Sequence, residues 1–270
     1  MANSRTYCFK VLGLPIHSIL LFLPIHLLII QGCATRGPVP RVLTKVEKAR
    51  MFVEIANGAL VEGDPTAALQ AIDRAEAVDT SLAELYHTKA LAFYVKHDLN
   101  TAIKSGRKAV SMRPTYSDAK NTLGKLLLEA GKFEEAIEPL SEAANDPLYN
   151  DTYKAWTNLG ILKYRKSEFT LSARYFDHAV QDAPGRSCIA HYYLGHIRLK
   201  ESRISDAIKE YDNSTKKLCA RFKDGMLALG LAYQKDKQYQ AARKTFLEIQ
   251  KRYPNTQLAD QAMDHLKYLP

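Results

Sequence analysis

The sequence predicts an all-α fold, a right-handed superhelix of six helix hairpins closed by one capping helix, and three columns of residues predict it. A small residue recurs at Ala56, Ala90, Gly124, Gly160, Gly195 and Gly230, with spacings of 34, 34, 36, 35 and 35. A second column (Ala68, Ala102, Ala136, Ser172, Ala207, Ala242) and a third (Thr80, Pro114, Leu148, Pro184, Cys219, Pro254) repeat those spacings. A period of about 34 residues marks an array whose units bury their apolar faces against one another. The composition agrees, since 46% hydrophobic and 25% charged residues over 270 positions describe a folded chain rather than a disordered or collagenous one.

Ahead of the array, a polar start holding Arg5 and Lys10 leads into the apolar run Val11–Ile30, VLGLPIHSILLFLPIHLLII, and then Gln31-Gly32-Cys33. Charged, apolar and small, in that order, is the layout of a secretory signal. The competing reading is an uncleaved membrane anchor, because 20 apolar residues just span a bilayer. Pro15, Pro24, His17 and His26 inside the run weigh against it. The end of the run, Ile30-Gln31-Gly32-Cys33, resembles the lipobox of bacterial lipoproteins. That resemblance implies cleavage before Cys33, its lipidation by diacylation, a palmitate-type anchor, and, with Ala34 rather than Asp following, a place on the periplasmic face of the outer membrane. Residues 33–48 then read as lipidated N-terminus and tether, since Gly37, Pro38 and Pro40 keep the chain extended.

Residues 49–270 form the array. Within a unit the apolar residues fall at helical spacing on two segments parted by a polar turn, as in Trp156, Leu159 and Ile161, then Phe169, Phe176, Ala179 and Val180. The small residues stand where the two helices cross, where a bulkier side chain would push the axes beyond roughly 8–10 Å. Proline in the third column stops the second helix, because it cannot extend the hydrogen-bond ladder. These columns resemble the tetratricopeptide repeat, which sets an aromatic, Leu-Gly, Tyr, Ala, aromatic, Ala and Pro in that order. Unit four carries Trp156, Leu159-Gly160, Phe176, Ala179 and Pro184; unit six carries Leu229-Gly230, Tyr233, Tyr239, Ala242, Phe246 and Pro254. Units one and two have Ala for Gly, and unit five has Ser214 and Cys219 where Ala and Pro are expected. The tail TQLADQAMDHLKYLP spaces Leu258, Ala262, Leu266 and Leu269 as one amphipathic helix, which covers the open face of unit six.

Net charge is +9, from 38 Lys+Arg against 29 Asp+Glu, and removal of the first 32 residues leaves +7. No block of five basic residues occurs, so nucleic acid is not an expected partner. No HExxH, CxxC or Gly-rich phosphate loop appears, and His191 and His196, five apart, lie on different helix faces. Glu134, Glu135 and Glu138 sit at a helix start and on its exposed side, where they favour the helix dipole. No catalytic residue, metal ligand or cofactor is expected, and the chain is not read as an enzyme. Cys188 and Cys219 are either two small buried residues or, because the first helix of a hairpin starts beside the end of the second, a pair within disulfide reach. A bond there would close a loop of 31 residues and contribute about 3 kcal/mol.

First helices line the concave surface of such an array. By register the inward positions are Asn57, Leu60, His87, Leu91, Tyr94, Asn121, Lys125, Leu128, Thr157, Ile161, Tyr164, Tyr192, His196, Leu227 and Leu231. The lining is apolar and aromatic with few charges, and it lacks the Lys/Asn/Arg clamp that holds a C-terminal carboxylate in chaperone-binding repeat proteins. It therefore suits an extended or amphipathic segment of a protein partner.

Spacing widens to 36 between units three and four, within EAANDPLYNDTYKAWTNLGI. The turn Asp146-Pro147-Leu148-Tyr149 followed by Asn158-Leu159-Gly160 resembles the matching segment of the type IV pilus biogenesis lipoproteins, six-repeat pilotins with a similar lipobox. That resemblance implies a protein that binds secretin subunits through its groove and promotes their outer-membrane localisation and multimerisation. A second resemblance runs through KTFLEIQKRYPNTQLADQAMDHL, which is similar to the ending of lipoproteins that act as adaptors for β-barrel assembly or for envelope enzymes of peptidoglycan.

Overall fold

The computed structural model describes residues 42–270. The signal run, the lipobox and Cys33 lie outside the described residues, as does most of the tether. The described residues form thirteen α-helices, one short 3₁₀ turn and no strand. Six hairpins follow in order: α1 (Lys45–Val61) with α2 (Pro65–Val78), α3 (Ala83–Val95) with α4 (Leu99–Met112), and α5 (Ser117–Glu129) with α6 (Phe133–Ala144). Then come α7 (Thr152–Arg165) with α8 (Phe169–Asp182), α9 (Cys188–Lys200) with α10 (Ile204–Asn213), and α11 (Lys223–Lys235) with α12 (Tyr239–Arg252). The last helix is α13 (Gln257–Lys267). Each hairpin packs on the next, and successive first helices touch, so every unit depends only on its neighbours.

Helix α1 starts inside the span the sequence assigns to the tether. Thr44 caps it, accepting from the Glu47 N–H at 3.2 Å, while the Glu47 carboxylate accepts from the Thr44 N–H at 2.9 Å. This reciprocal box satisfies two orphan donors and so begins a helix where apolar periodicity alone is silent.

The turn inside each hairpin is the same motif six times. Gly63, His97, Gly131, Ser167, Ser202 and Lys237 all take positive φ, between 60° and 80°. The next N–H then reaches back five residues, as from Asp98 to the Phe93 carbonyl and from Glu168 to the Lys163 carbonyl, both at 2.9 Å. This closes each first helix with a Schellman motif and reverses the chain in two residues.

The first column owes its small residues to direct contact. A Cβ added at Gly160 would meet the Phe176 ring at 2.5 Å, at Gly195 the Tyr211 ring at 2.5 Å and at Gly230 the Phe246 ring at 2.5 Å; at Gly124 it would strike Leu140. Each of these large side chains is fully buried, 16 positions after its glycine. In unit one the same register holds Ala56 and Ile72, and in unit two Ala90 and Gly106, so a larger crossing residue goes with a smaller opposite one. The tail behaves as the spacing predicts: Leu258, Ala262 and Leu269 are buried in one cluster with Phe246 and Ile249, and Leu266 packs against it.

Unit five departs from the pattern. Helix α10 has only 10 residues and stops at Asn213, well before the third-column position. Ser214 Oγ donates to the Tyr211 carbonyl at 2.6 Å and Thr215 Oγ1 to the Asp212 carbonyl at 2.9 Å, so side chains take over carbonyls that a continued helix would need. The chain then forms a 3₁₀ turn at Lys217–Cys219 before α11 begins.

Candidate protein-binding groove

A recess of about 780 Å³ runs along the first helices from unit two to the 3₁₀ turn of unit five. Among the positions read from sequence, His87, Leu91, Tyr94, Asn121, Lys125, Thr157 and Ile161 line it. Its floor is polar at one place, where Asn158 Nδ2 donates to Asn121 Oδ1 at 2.9 Å with both side chains almost wholly buried. Thr157 Oγ1 turns inward and donates to the Tyr153 carbonyl.

At the unit-two end, His87 is held between two hydroxyls, with Nδ1 2.9 Å from Tyr116 Oη and Nε2 2.9 Å from Thr122 Oγ1. Burial drives the imidazole pKa down from 6.5 to about 4, because the charged form would lose its water; the nearby Asp118 carboxylate opposes this only weakly. Burial likewise pushes the Tyr116 phenol up to about 12. Arg113 lies over the Tyr116 ring at 3.8 Å and pairs with Glu84 at 2.7 Å, which locks that end of the recess. Midway, Lys125 Nζ stands 4.7 Å over the Tyr94 ring.

At the far end, Cys188 and Cys219 are joined by a disulfide with their Cα atoms 5.3 Å apart. The bond fastens the 3₁₀ turn to the start of α9, and Cys219 is buried by it. Leu218 is left 75% exposed on the groove rim beside Ile189, with Phe222 forming the wall.

Eight of the fifteen positions fall elsewhere. Leu128 is 1% exposed and belongs to the core beneath the groove with Leu126 and Leu127, while its carbonyl accepts from Arg165 Nη1 at 3.0 Å. Asn57 is exposed but lies before the recess, accepting from Thr88 Oγ1 at 2.9 Å, and Leu60 packs on the unit-one core. Tyr164, Tyr192 and His196 pack edge-to-face into an aromatic cluster instead of lining the recess. Tyr164 meets Tyr193 at 4.9 Å, Tyr192 meets His196 at 4.4 Å, and Tyr192 backs Phe222 at 5.5 Å. Leu227 and Leu231 pack on the core of unit six. Each of these follows the first-helix register, but Asn57 lies outside the recess and the others pack against neighbouring side chains instead of lining it.

Sequence register missed the other wall. Asp118, Tyr149, Tyr153, Lys154, Arg186, Ile189, Leu218 and Phe222 come from the turns that join units and from the helix starts just after them. The widened spacing before unit four and the missing proline at Cys219 were the available signals, since irregular turns are the ones that reach inward.

His191 and His196 serve packing, the first with Nδ1 2.6 Å from Glu210 and the second with Nδ1 3.0 Å from Tyr211 Oη. Among the described residues no three His, Cys, Asp or Glu side chains gather as a metal site.

Tetratricopeptide-repeat models match residues 87–150 and 122–187, and a further one matches 224–256. With six hairpins, the crossing columns and a concave groove, the chain is a tetratricopeptide-repeat protein folded as a superhelix.

Within that class it resembles the type IV pilus biogenesis proteins. It is 24% identical over 186 residues to the type IV pilus assembly protein PilF of Pseudomonas aeruginosa, covering 68% of this chain and 73% of that one. The solved structure of P. aeruginosa PilF superposes with a TM-score of 0.68 at 20% identity, over 82% of this chain and 99% of that chain. PilW, described as a widely conserved type IV pilus biogenesis factor, gives 0.69 at 19% identity over 80% and 98%. A chain of the APC/C Cut9–Hcn1 hetero-tetramer gives 0.69 as well, over 82% of this chain and 42% of that one. Fold likeness is thus equal for a partner-binding subunit of an unrelated assembly, and function has to be argued from the groove and the sequence match.

Proposed function

We propose that this chain is a lipoprotein of type IV pilus biogenesis, a pilotin held at the periplasmic face of the outer membrane by acyl chains on Cys33. Its groove binds secretin subunits and promotes their membrane localisation and multimerisation. The groove is the observation that carries the reading: a recess open along units two to five, walled mainly by aromatic and aliphatic side chains. Such a surface selects an extended or amphipathic protein segment by shape and leaves chemistry to others. Likeness to PilF over two thirds of the chain supports the pilus setting. Acyl chains supply the membrane affinity, at about 0.8 kcal/mol per buried CH₂.

The test is deletion of the gene with restoration by the wild-type chain, by Cys33→Ala and by the double variant Leu91→Asp/Tyr94→Asp. Loss of detergent-resistant secretin multimers, recovered by wild type and by neither variant, is the expected result. Normal multimers in the deletion strain would overturn it and favour an adaptor for β-barrel assembly or envelope enzymes. Helical circular dichroism of the double variant separates lost capture from lost folding.

A further inference from the structure

Basic residues alternate with acidic ones along most of the chain, but one segment holds the excess. Residues 216–252 carry ten Lys/Arg against three Asp/Glu, a net of +7, whereas the other described residues carry 24 against 26. The folding of unit five gathers part of this charge at one place. The disulfide holds the 3₁₀ turn at the groove end, and Arg252 Nη1, at the end of α12, donates to the Ala220 carbonyl at 3.4 Å. Lys217, Arg221 and Lys223 are therefore displayed, exposed, beside Leu218 and Phe222. None of these three has an ion-pair partner among the described residues, while Lys216 and Arg252 are neutralised by Asp212 and Glu248.

Charges at the middle of the same edge are paired instead. Asp151 takes both Lys154 at 2.6 Å and Arg186 at 3.3 Å, and Asp146 accepts from Ser117. The groove carries aromatic and aliphatic side chains along its length among polar ones, its ion pairs are balanced at the middle, and one mouth is cationic. We infer that its occupant is a protein segment whose apolar stretch lies over units two to five and whose acidic flank, rich in Asp and Glu, emerges at the 3₁₀ turn over Lys217, Arg221 and Lys223.

This rests on the groove being the partner site, and it adds polarity and charge to that reading. A flat anionic bilayer satisfies the cations but cannot enter the recess beside them, whereas a segment with an apolar body and acidic end fills both. Like-charged flanks are rejected at the same mouth, so the cations set direction as well as affinity.

The test uses the full chain in phosphatidylcholine nanodiscs and two labelled synthetic peptides read by fluorescence anisotropy. They share one Leu/Phe-rich body and differ in carrying a Glu block or a Lys block at one end. The expected result is about tenfold tighter binding of the Glu-flanked peptide in dilute salt, converging on the other as salt rises. The advantage disappears in Lys217→Glu/Arg221→Glu/Lys223→Glu and in the corresponding Gln variant, and it persists in Lys104→Glu/Lys108→Glu on the outer face. Equal affinity for both peptides, lost on Leu91→Asp/Tyr94→Asp, overturns the acidic-flank proposal and leaves the groove reading standing. Binding of neither peptide overturns both. Triple-variant-sensitive retention on phosphatidylglycerol vesicles, without discrimination between peptides, assigns the cations to lipid and likewise overturns the proposal.

Discussion

Substituting alanine for glycine at positions 58 and 160 should move stability in opposite directions. Both glycines are helical, so each gains about 0.5–1 kcal/mol in helix propensity on acquiring a Cβ. At Gly58 nothing lies within 4 Å of the new atom, and that gain is the whole effect. At Gly160 the Cβ meets Phe176 Cε1 at 2.5 Å and Cδ1 at 2.6 Å, about 1 Å inside ordinary carbon–carbon contact. The ring has no room to yield, since it is fully buried and stacked on Tyr193 with centroids 5.3 Å apart and planes 11° apart. Overpacking of this kind typically costs about 1–3 kcal/mol, which, set against that gain, leaves Gly160→Ala destabilised by up to about 2.5 kcal/mol. Urea titration followed by circular dichroism, with hydrogen exchange of the α7 and α8 amides to localise the loss, measures both variants. Adding Phe176→Ile, which copies the Ala56–Ile72 pairing of unit one, should recover part of the loss. If Gly160→Ala stabilises as much as Gly58→Ala, the crossing column is not a packing constraint and the account of the repeat period fails.

The His87 imidazole, depressed from 6.5 to about 4, makes the folded chain bind fewer protons than the unfolded one in that window. Its contribution is therefore complete above pH 6.5 and is lost as pH falls toward about 4, by up to about 3 kcal/mol. Urea midpoints across that range should fall in the wild type and flatten in His87→Gln; parallel slopes would refute the assignment. Ser167→Gly should stabilise by roughly 1 kcal/mol, because serine holds φ at 60° where glycine is unstrained, and an unchanged melting temperature would count against it. Reducing the Cys188–Cys219 bond should remove about 3 kcal/mol by loop entropy and expose the 214–222 turn to protease, read by limited proteolysis with and without reductant. Retained protease resistance would show that packing alone holds that turn.

The hairpins were legible because each boundary has a cause within a few residues of sequence. Crossing residues are small where Leu140, Phe176, Tyr211 and Phe246 press on them, and the spacing of Gly124, Gly160, Gly195 and Gly230 reports that contact directly. The groove was half legible. Leu91, Lys125 and Ile161 stand one position after the crossing residue and face the groove, as register requires. Leu128 has the same claim by periodicity and fails it because its side chain joins a core cluster that reaches into the next unit at Ala155, Leu159 and Leu162. Tyr192 fails it where a serine–threonine run ends α10 early and Phe222 packs edge-on against its ring, and His196 because its ring is taken up by Tyr192 and Tyr211. Those causes are long-range or depend on a side chain outcompeting the backbone, and no periodicity encodes them. Left-handed His97, Ser167, Ser202 and Lys237 also escaped notice, since only Gly63 and Gly131 advertise that conformation by residue type.

Each crossing glycine and the large side chain it admits lie 16 positions apart inside a single unit. A duplication that copies one whole unit therefore copies a lock together with its key, and the array can lengthen or shorten without any new compensating change. The groove has no such inheritance. Its walls are assembled from four units and from the irregular turns between them, so it survives only while the units keep their order. Stability in this chain is a property of the part, and recognition is a property of the sequence of parts.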